Sequence, residues 1–309
     1  MKTPWTMVAG VGLALAVGLS CDTQSRPSRA EATTSDNRAV GLAASSLEGI
    51  PRLVFFAQHF ALDPALTADD ADQFVTRAID DTRNALIDEF SRFGCAVIDI
   101  QADGNTLSAL VSSCPILTLT FDAEVDVVAQ LVEADPSECS EGFCPVAVLW
   151  DFDISQLTIG PAIGRRNSFS GPAQLRAPVD PDEPMGWQTH PGYTLETRLG
   201  PRFDMLSTAT WTSDAEGCMD MDIGSRLQVE ETDEPLDETL GDIVISSRGV
   251  RRCPFQCTLA GDVEVSFQSG SLLRWSFTGE ETLLVTGPLG KTLEVDLPCN
   301  GADEGSANE

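Results

Sequence analysis

Apolar positions along this chain change period, and the predicted elements follow from those changes. An apolar stretch at Ile50–Leu62, expected to be helical, is broken by Asp63-Pro64. Beyond it Phe74, Val75, Ala78, Ile79, Leu86 and Phe90 recur at helical spacing, while Arg77, Asp80, Asp81, Arg83 and Asp88 fall on other faces. The pattern predicts an amphipathic helix that starts near a cap at Thr67, carries Asp69 and Asp70 in its first turn, and ends at Gly94. From Cys95 the period becomes two. Ala96, Ile98 and Ile100 alternate with Val97 and Asp99, and Asp103-Gly104 marks a hairpin before Leu107–Val111. Strand-like runs continue over Ile116–Val128 and Val146–Ile159 and resume near Tyr193, after a stretch holding Pro172, Pro178, Pro181, Pro184 and Pro191. Near the C-terminus Val263, Val265 and Phe267 alternate with Glu264 and Ser266, and Leu293, Val295 and Leu297 with Glu294 and Asp296.

Landmarks recur in one order. Gly94-Cys95-Ala96-Val97-Ile98-Asp99-Ile100 matches Gly217-Cys218-Met219-Asp220-Met221-Asp222-Ile223. Ser112-Ser113 then Cys114-Pro115 parallels Ser246-Ser247 then Cys253-Pro254. Trp150 with Phe152 parallels Trp275 with Phe277, and Gly160-Pro161 parallels Gly287-Pro288. Such self-similarity predicts a duplicated unit. The expected fold is mainly β with one N-terminal amphipathic helix, built from a duplicated antiparallel β unit in sandwich-like layers, because alternating strands need their apolar faces covered.

Charge narrows the function classes. Of 309 residues, 19 are Lys or Arg and 48 are Asp or Glu, for a formal net charge of −29. Such a chain repels nucleic acid and anionic headgroups, whose recognition needs clustered cations. Nucleic-acid binding is therefore not expected.

The N-terminus has its own chemistry. Lys2 precedes an apolar run from Met7 to Leu19 that Ser20 and Cys21 close. Such a run makes about 20 Å of helix, too short for a bilayer core of about 30 Å, and reads as a signal peptide over 1–20. The sequence Gly18-Leu19-Ser20-Cys21 resembles the lipobox of bacterial lipoproteins. That resemblance implies cleavage before Cys21, acylation of its thiol with chains such as palmitate, and anchoring to a membrane of the cell envelope on the extracytoplasmic side. Residues 21–46 lack apolar periodicity and are expected to be a disordered tether. Beyond it are expected a helical segment with the first β unit over 47–166, a Pro-rich connector over 167–192, a second β unit over 193–299 and a flexible tail over 300–309.

Setting Cys21 aside leaves Cys95, Cys114, Cys139, Cys144, Cys218, Cys253, Cys257 and Cys299, an even set suited to disulfides in an oxidising compartment. The repeat suggests Cys95 with Cys114 and Cys218 with Cys253 as equivalent bonds. Cys139 with Cys144 and Cys257 with Cys299 would then close the set, one connectivity among many.

Candidate chemistry is sparse. The two histidines are His59, in an apolar stretch, and His190, beside Trp187. No Gly-x-Ser-x-Gly elbow, Cys-x-x-Cys, His-Glu-x-x-His, Walker loop or dinucleotide fingerprint occurs, so neither cofactor nor metal is expected. Asp220, Asp222 and Glu231 have first, third and twelfth spacing of an EF-hand. Gly224 falls at the fifth position rather than the sixth, and the alternation with Met219, Met221 and Ile223 reads as a strand with an acidic face. The expected function is a non-catalytic, lipid-anchored structural or binding role, with the bilayer as one partner and a protein or glycan partner left open. The alternatives are a secreted glycan hydrolase using an unidentified carboxylate pair and a calcium-dependent adhesion module.

Overall fold

A computed structural model describes residues 57–116, 119–134, 143–161, 164, 166–196, 202–214, 218–229, 242–252, 258–267, 270, 272–278, 282–287 and 290–296. The expected signal peptide, the expected tether and Cys21 lie outside the described residues, as do Cys139, Cys253, Cys257, Cys299 and the expected C-terminal tail. The fold is mainly β and antiparallel, with a single α-helix among the described residues. No helix there is long and apolar enough to cross a membrane. The chain divides into two compact units, one of Arg52–Thr212 with Leu227–Glu230, the other of Ser213–Arg226 and Glu231 onward.

In the first unit a short 3-10 turn, Gln58–Phe60, precedes helix α1, Ala71–Phe93. It stands within the stretch expected to be helical. The helix starts later than the Thr67 cap predicts. Asp70 is the N-cap and its carboxylate accepts the Gln73 N–H at 2.8 Å, while the Gln73 side chain accepts the Asp69 N–H at 2.9 Å. This reciprocal pair, close to a capping box, outcompetes the hydroxyl. At the other end Gly94 adopts φ 69 and ψ 40, the left-handed conformation that closes a helix without a Cβ penalty. Phe74, Val75, Ala78, Ile79, Leu86 and Phe90 are buried. They pack α1 on β1–β3, and Phe90 stacks on Phe121 at 5.9 Å.

The strands of this unit are β1 (Val97–Asp103), β2 (Thr106–Ile116), β3 (Leu119–Glu133), β4 (Pro145–Pro161), β5 (Asn167–Pro178), β6 (Met185–Thr189), β7 (Thr194–Glu196) and β8 (Arg202–Ser213). They run in the order β1-β2-β3-β4-β5-β6-β8, and β7 pairs with β5 and β8. Gly104, at φ 59, opens the tight β1–β2 turn. Cys95 is disulfide-bonded to Cys114, the pairing the repeat suggests, which ties the chain just after α1 to the far part of β2. Arg83 of α1 donates its Nε–H to the Ile100 carbonyl of β1 at 3.1 Å.

The stretch expected as a Pro-rich connector is instead sheet, forming β5 and β6. Its prolines fall where a ladder tolerates them. Pro178 ends β5, Pro172 adjoins the register shift between Ile154 and Leu157, and Pro181, Pro184 and Pro191 lie in the connections around β6. Thr189 explains the break between β6 and β7, since its hydroxyl accepts the Ser207 N–H at 2.7 Å and donates to the Met205 carbonyl at 3.0 Å in place of backbone groups. Gly171, at φ +115, lies opposite the same break. A Cβ there would sit 2.5 Å from the Gly192 carbonyl oxygen, so only glycine fits.

Large and small side chains alternate across the inner face of this sheet. One cross-strand row reads Ala129, Trp150, Leu175, Trp187, Ala209. All five are buried, and Phe60 sets its ring edge-on against Trp150 at 5.2 Å and Phe152 at 4.9 Å.

The second unit orders β9 (Met219–Val229), β10 (Ile243–Arg252), β11 (Thr258–Phe267), β12 (Leu272–Phe277), β13 (Thr282–Thr286) and β14 (Thr292–Asp296) as a meander. Met221, Ile223, Ile245, Val263, Val265, Leu273 and Trp275 are buried, and Asp220 and Asp222 are exposed, the strand pattern read from their alternation. Gly261, at φ +109, repeats the Gly171 device. A Cβ there would meet the Gly249 carbonyl oxygen at 2.6 Å.

A candidate interaction surface

The outer face of β1–β4 is a grid whose rows follow from register. The first row is Asp99, Leu110, Glu124 and Gln156; the second Gln101, Ser108, Asp126 and Asp153; the third Asp103, Thr106, Val128 and Asp151. With strands about 4.8 Å apart and same-face residues about 6.7 Å apart, the grid covers about 14 Å by 14 Å. It is outer because the alternate positions, Ile100, Leu107, Ala109, Val125, Val127, Phe152 and Ile154, are buried. Asp151 is half-buried and the other five carboxylates are exposed.

No Lys, Arg or His occurs between Arg92 and Arg165, so these four strands supply no cation. Within the grid, Asp99, Asp126 and Asp151 are met by neutral donors. The Ser108 hydroxyl donates to Asp126 at 2.5 Å, the Gln101 amide to Asp99 at 3.1 Å, and the Gln130 and Gln174 amides to Asp151 at 3.0 and 2.7 Å. Asp126 stands directly opposite Asp153, and like charges so placed destabilise a sheet. Leu110, 44% exposed, sits between Asp99 and Glu124, and Val128, 37% exposed, adjoins Asp151.

At one end of this face a cation does arrive. Asp122 accepts the Ser113 N–H at 2.7 Å, the Thr158 hydroxyl at 3.1 Å and a guanidinium N–H of Arg166. Arg166 reaches it by lying across Gly160, where a Cβ would sit 2.9 Å from its Cα.

The second unit treats its outer charges differently. Arg251 forks between Asp214 at 2.7 Å and Asp220 at 2.5 Å, Arg274 pairs with Glu264 at 2.7 Å, and Arg226 pairs with Asp242. Asp222 accepts the Gly249 N–H at 2.8 Å. The two carboxylates of the EF-hand-like spacing are thus engaged by protein donors. Glu231 lies outside the described residues, and among those described no cluster of three or more His, Cys, Asp or Glu could hold a metal ion.

Groups with displaced titration are dispersed. His59, in the 3-10 turn, has its Nε2 sealed from solvent, and burial lowers its pKa to about 4. Glu89, buried on the packed side of α1, is raised by burial, with Arg92 at 3.3 Å opposing and Asp88 reinforcing the shift. Burial also raises Tyr193, between β6 and β7. Asp81 of α1 is raised by partial burial, with Asp63 and Asp80 adding to the shift. The other histidine, His190, lies half-buried in the turn after β6. Cys144 and Cys218 are disulfide-bonded.

Matched against protein-family models, curated proteins and solved structures, the chain resembles none of them closely enough to assign it to a family.

Proposed function

We propose that this chain is a non-catalytic, lipid-anchored protein of the bacterial cell envelope whose body has a binding role. The observation that carries the binding reading is the outer face of β1–β4, where six carboxylates and two exposed apolar side chains share one register with no cation among them. Stability alone gives no reason to set Asp126 against Asp153, and a partner does. The anchor rests on the lipobox-like segment ending at Cys21 and on the tether that follows, which would span about 25–30 Å as a flexible coil.

The body is read as a duplicated antiparallel unit with sandwich-like layers. Cys95 precedes β1 and Cys218 precedes β9, each the first strand of its unit. The Trp-x-Phe pairs fall on β4 and β12, each a fourth strand, and all four rings are buried. Ser113 and Gly249, at φ 52 and φ 56 on the second strands, each have the backbone N–H held by an aspartate. The Gly-Pro landmark slips, since Gly160 closes a fourth strand while Gly287 follows a fifth.

The test is the intact mass of the protein made in its native host, with and without reduction and thiol alkylation. The expected product begins at Cys21, carries acyl chains and exposes eight thiols only after reduction. An unacylated product starting elsewhere overturns the anchor, and thiols free before reduction overturn the disulfide set.

A further inference from the structure

We draw no further inference here: the strongest candidate, the sealed indole N–H groups of Trp150, Trp187 and Trp211 with the Tyr193 hydroxyl in the core of the first unit, carries nothing because nothing in the structure shows a cavity beside these atoms that a ligand could enter.

Discussion

Asp122 accepts the backbone N–H of Ser113 at 2.7 Å, and Ser113 is the non-glycine residue that holds a left-handed backbone, φ 52, among those described. An L-residue in that conformation costs roughly 1–2 kcal/mol, and the bond to a carboxylate offsets it. The same carboxylate also accepts from Thr158 and Arg166. Asp122→Ala strips three donors of their acceptor and is expected to cost about 2–3 kcal/mol in urea unfolding. Ser113→Gly is expected to leave stability level or raise it by up to about 1 kcal/mol, and Ser113→Val to lower it. A neutral result for Asp122→Ala would mean that these three bonds do not offset the Ser113 conformation.

Glu89 makes a second prediction, with a definite sign. Burial raises its pKa in the fold, so its carboxyl favours folding below its ordinary range and opposes it once ionised. Glu89→Gln is therefore expected to be more stable than the parent at pH 7, with the difference vanishing near pH 4. Unfolding midpoints at the two pH values check this; an equal gain at both would trace to packing rather than charge.

His59 acts in the opposite direction. Its pKa falls from 6.5 to about 4 on folding, so the stability it contributes is complete above pH 6.5 and is lost as pH drops toward 4. By linkage about 2 kcal/mol goes between pH 7.5 and pH 5. His59→Gln is expected to flatten that slope, whatever it does to stability at pH 7.5. Retention of the full slope in the variant would assign the acid sensitivity to carboxylates.

Gly171 and Gly261 are expected to reject alanine far more strongly than Gly104. At the first two a Cβ meets a neighbouring strand's carbonyl oxygen at 2.5 and 2.6 Å, whereas at Gly104 it meets nothing within 4 Å. Gly104→Ala is expected to cost about 1 kcal/mol from backbone strain alone, and each of the other two about 3 kcal/mol or more. Thermal melts of the three single variants compare them directly.

What the bare chain disclosed was local. The helical period from Phe74 to Phe90, its stop at Gly94, the turn at Gly104 and the alternation after Cys95 all depend on near neighbours, and each element stands where it was expected. The Cys95–Cys114 bond spans only 19 residues and one hairpin, so the repeat could suggest it. The Thr67 cap failed because two stronger acceptors, Asp70 and Gln73, lie a few residues on. Pro172 and Pro178 hid β5, since proline weighs against a strand unless the position beside a bulge or at a terminus is known. The acidic grid was invisible for a different reason. Asp99, Glu124 and Asp153 become neighbours only through the register of four strands, although the missing cations between Arg92 and Arg165 were open to view.

The bond from Arg83 to the Ile100 carbonyl has a consequence for a protein crowded on a surface. β1 stands at the end of the strand order, and an end strand is a template on which another chain can add itself. Copies held by lipid on one membrane, as proposed, meet in two dimensions at a concentration far above that of free chains. The guanidinium already occupies an acceptor that an incoming strand would need. Asp99 and Asp103, both exposed on β1, add negative charge to that edge, which disfavours a second acidic copy. A helix side chain thus makes that edge a poorer template for a second copy of the chain.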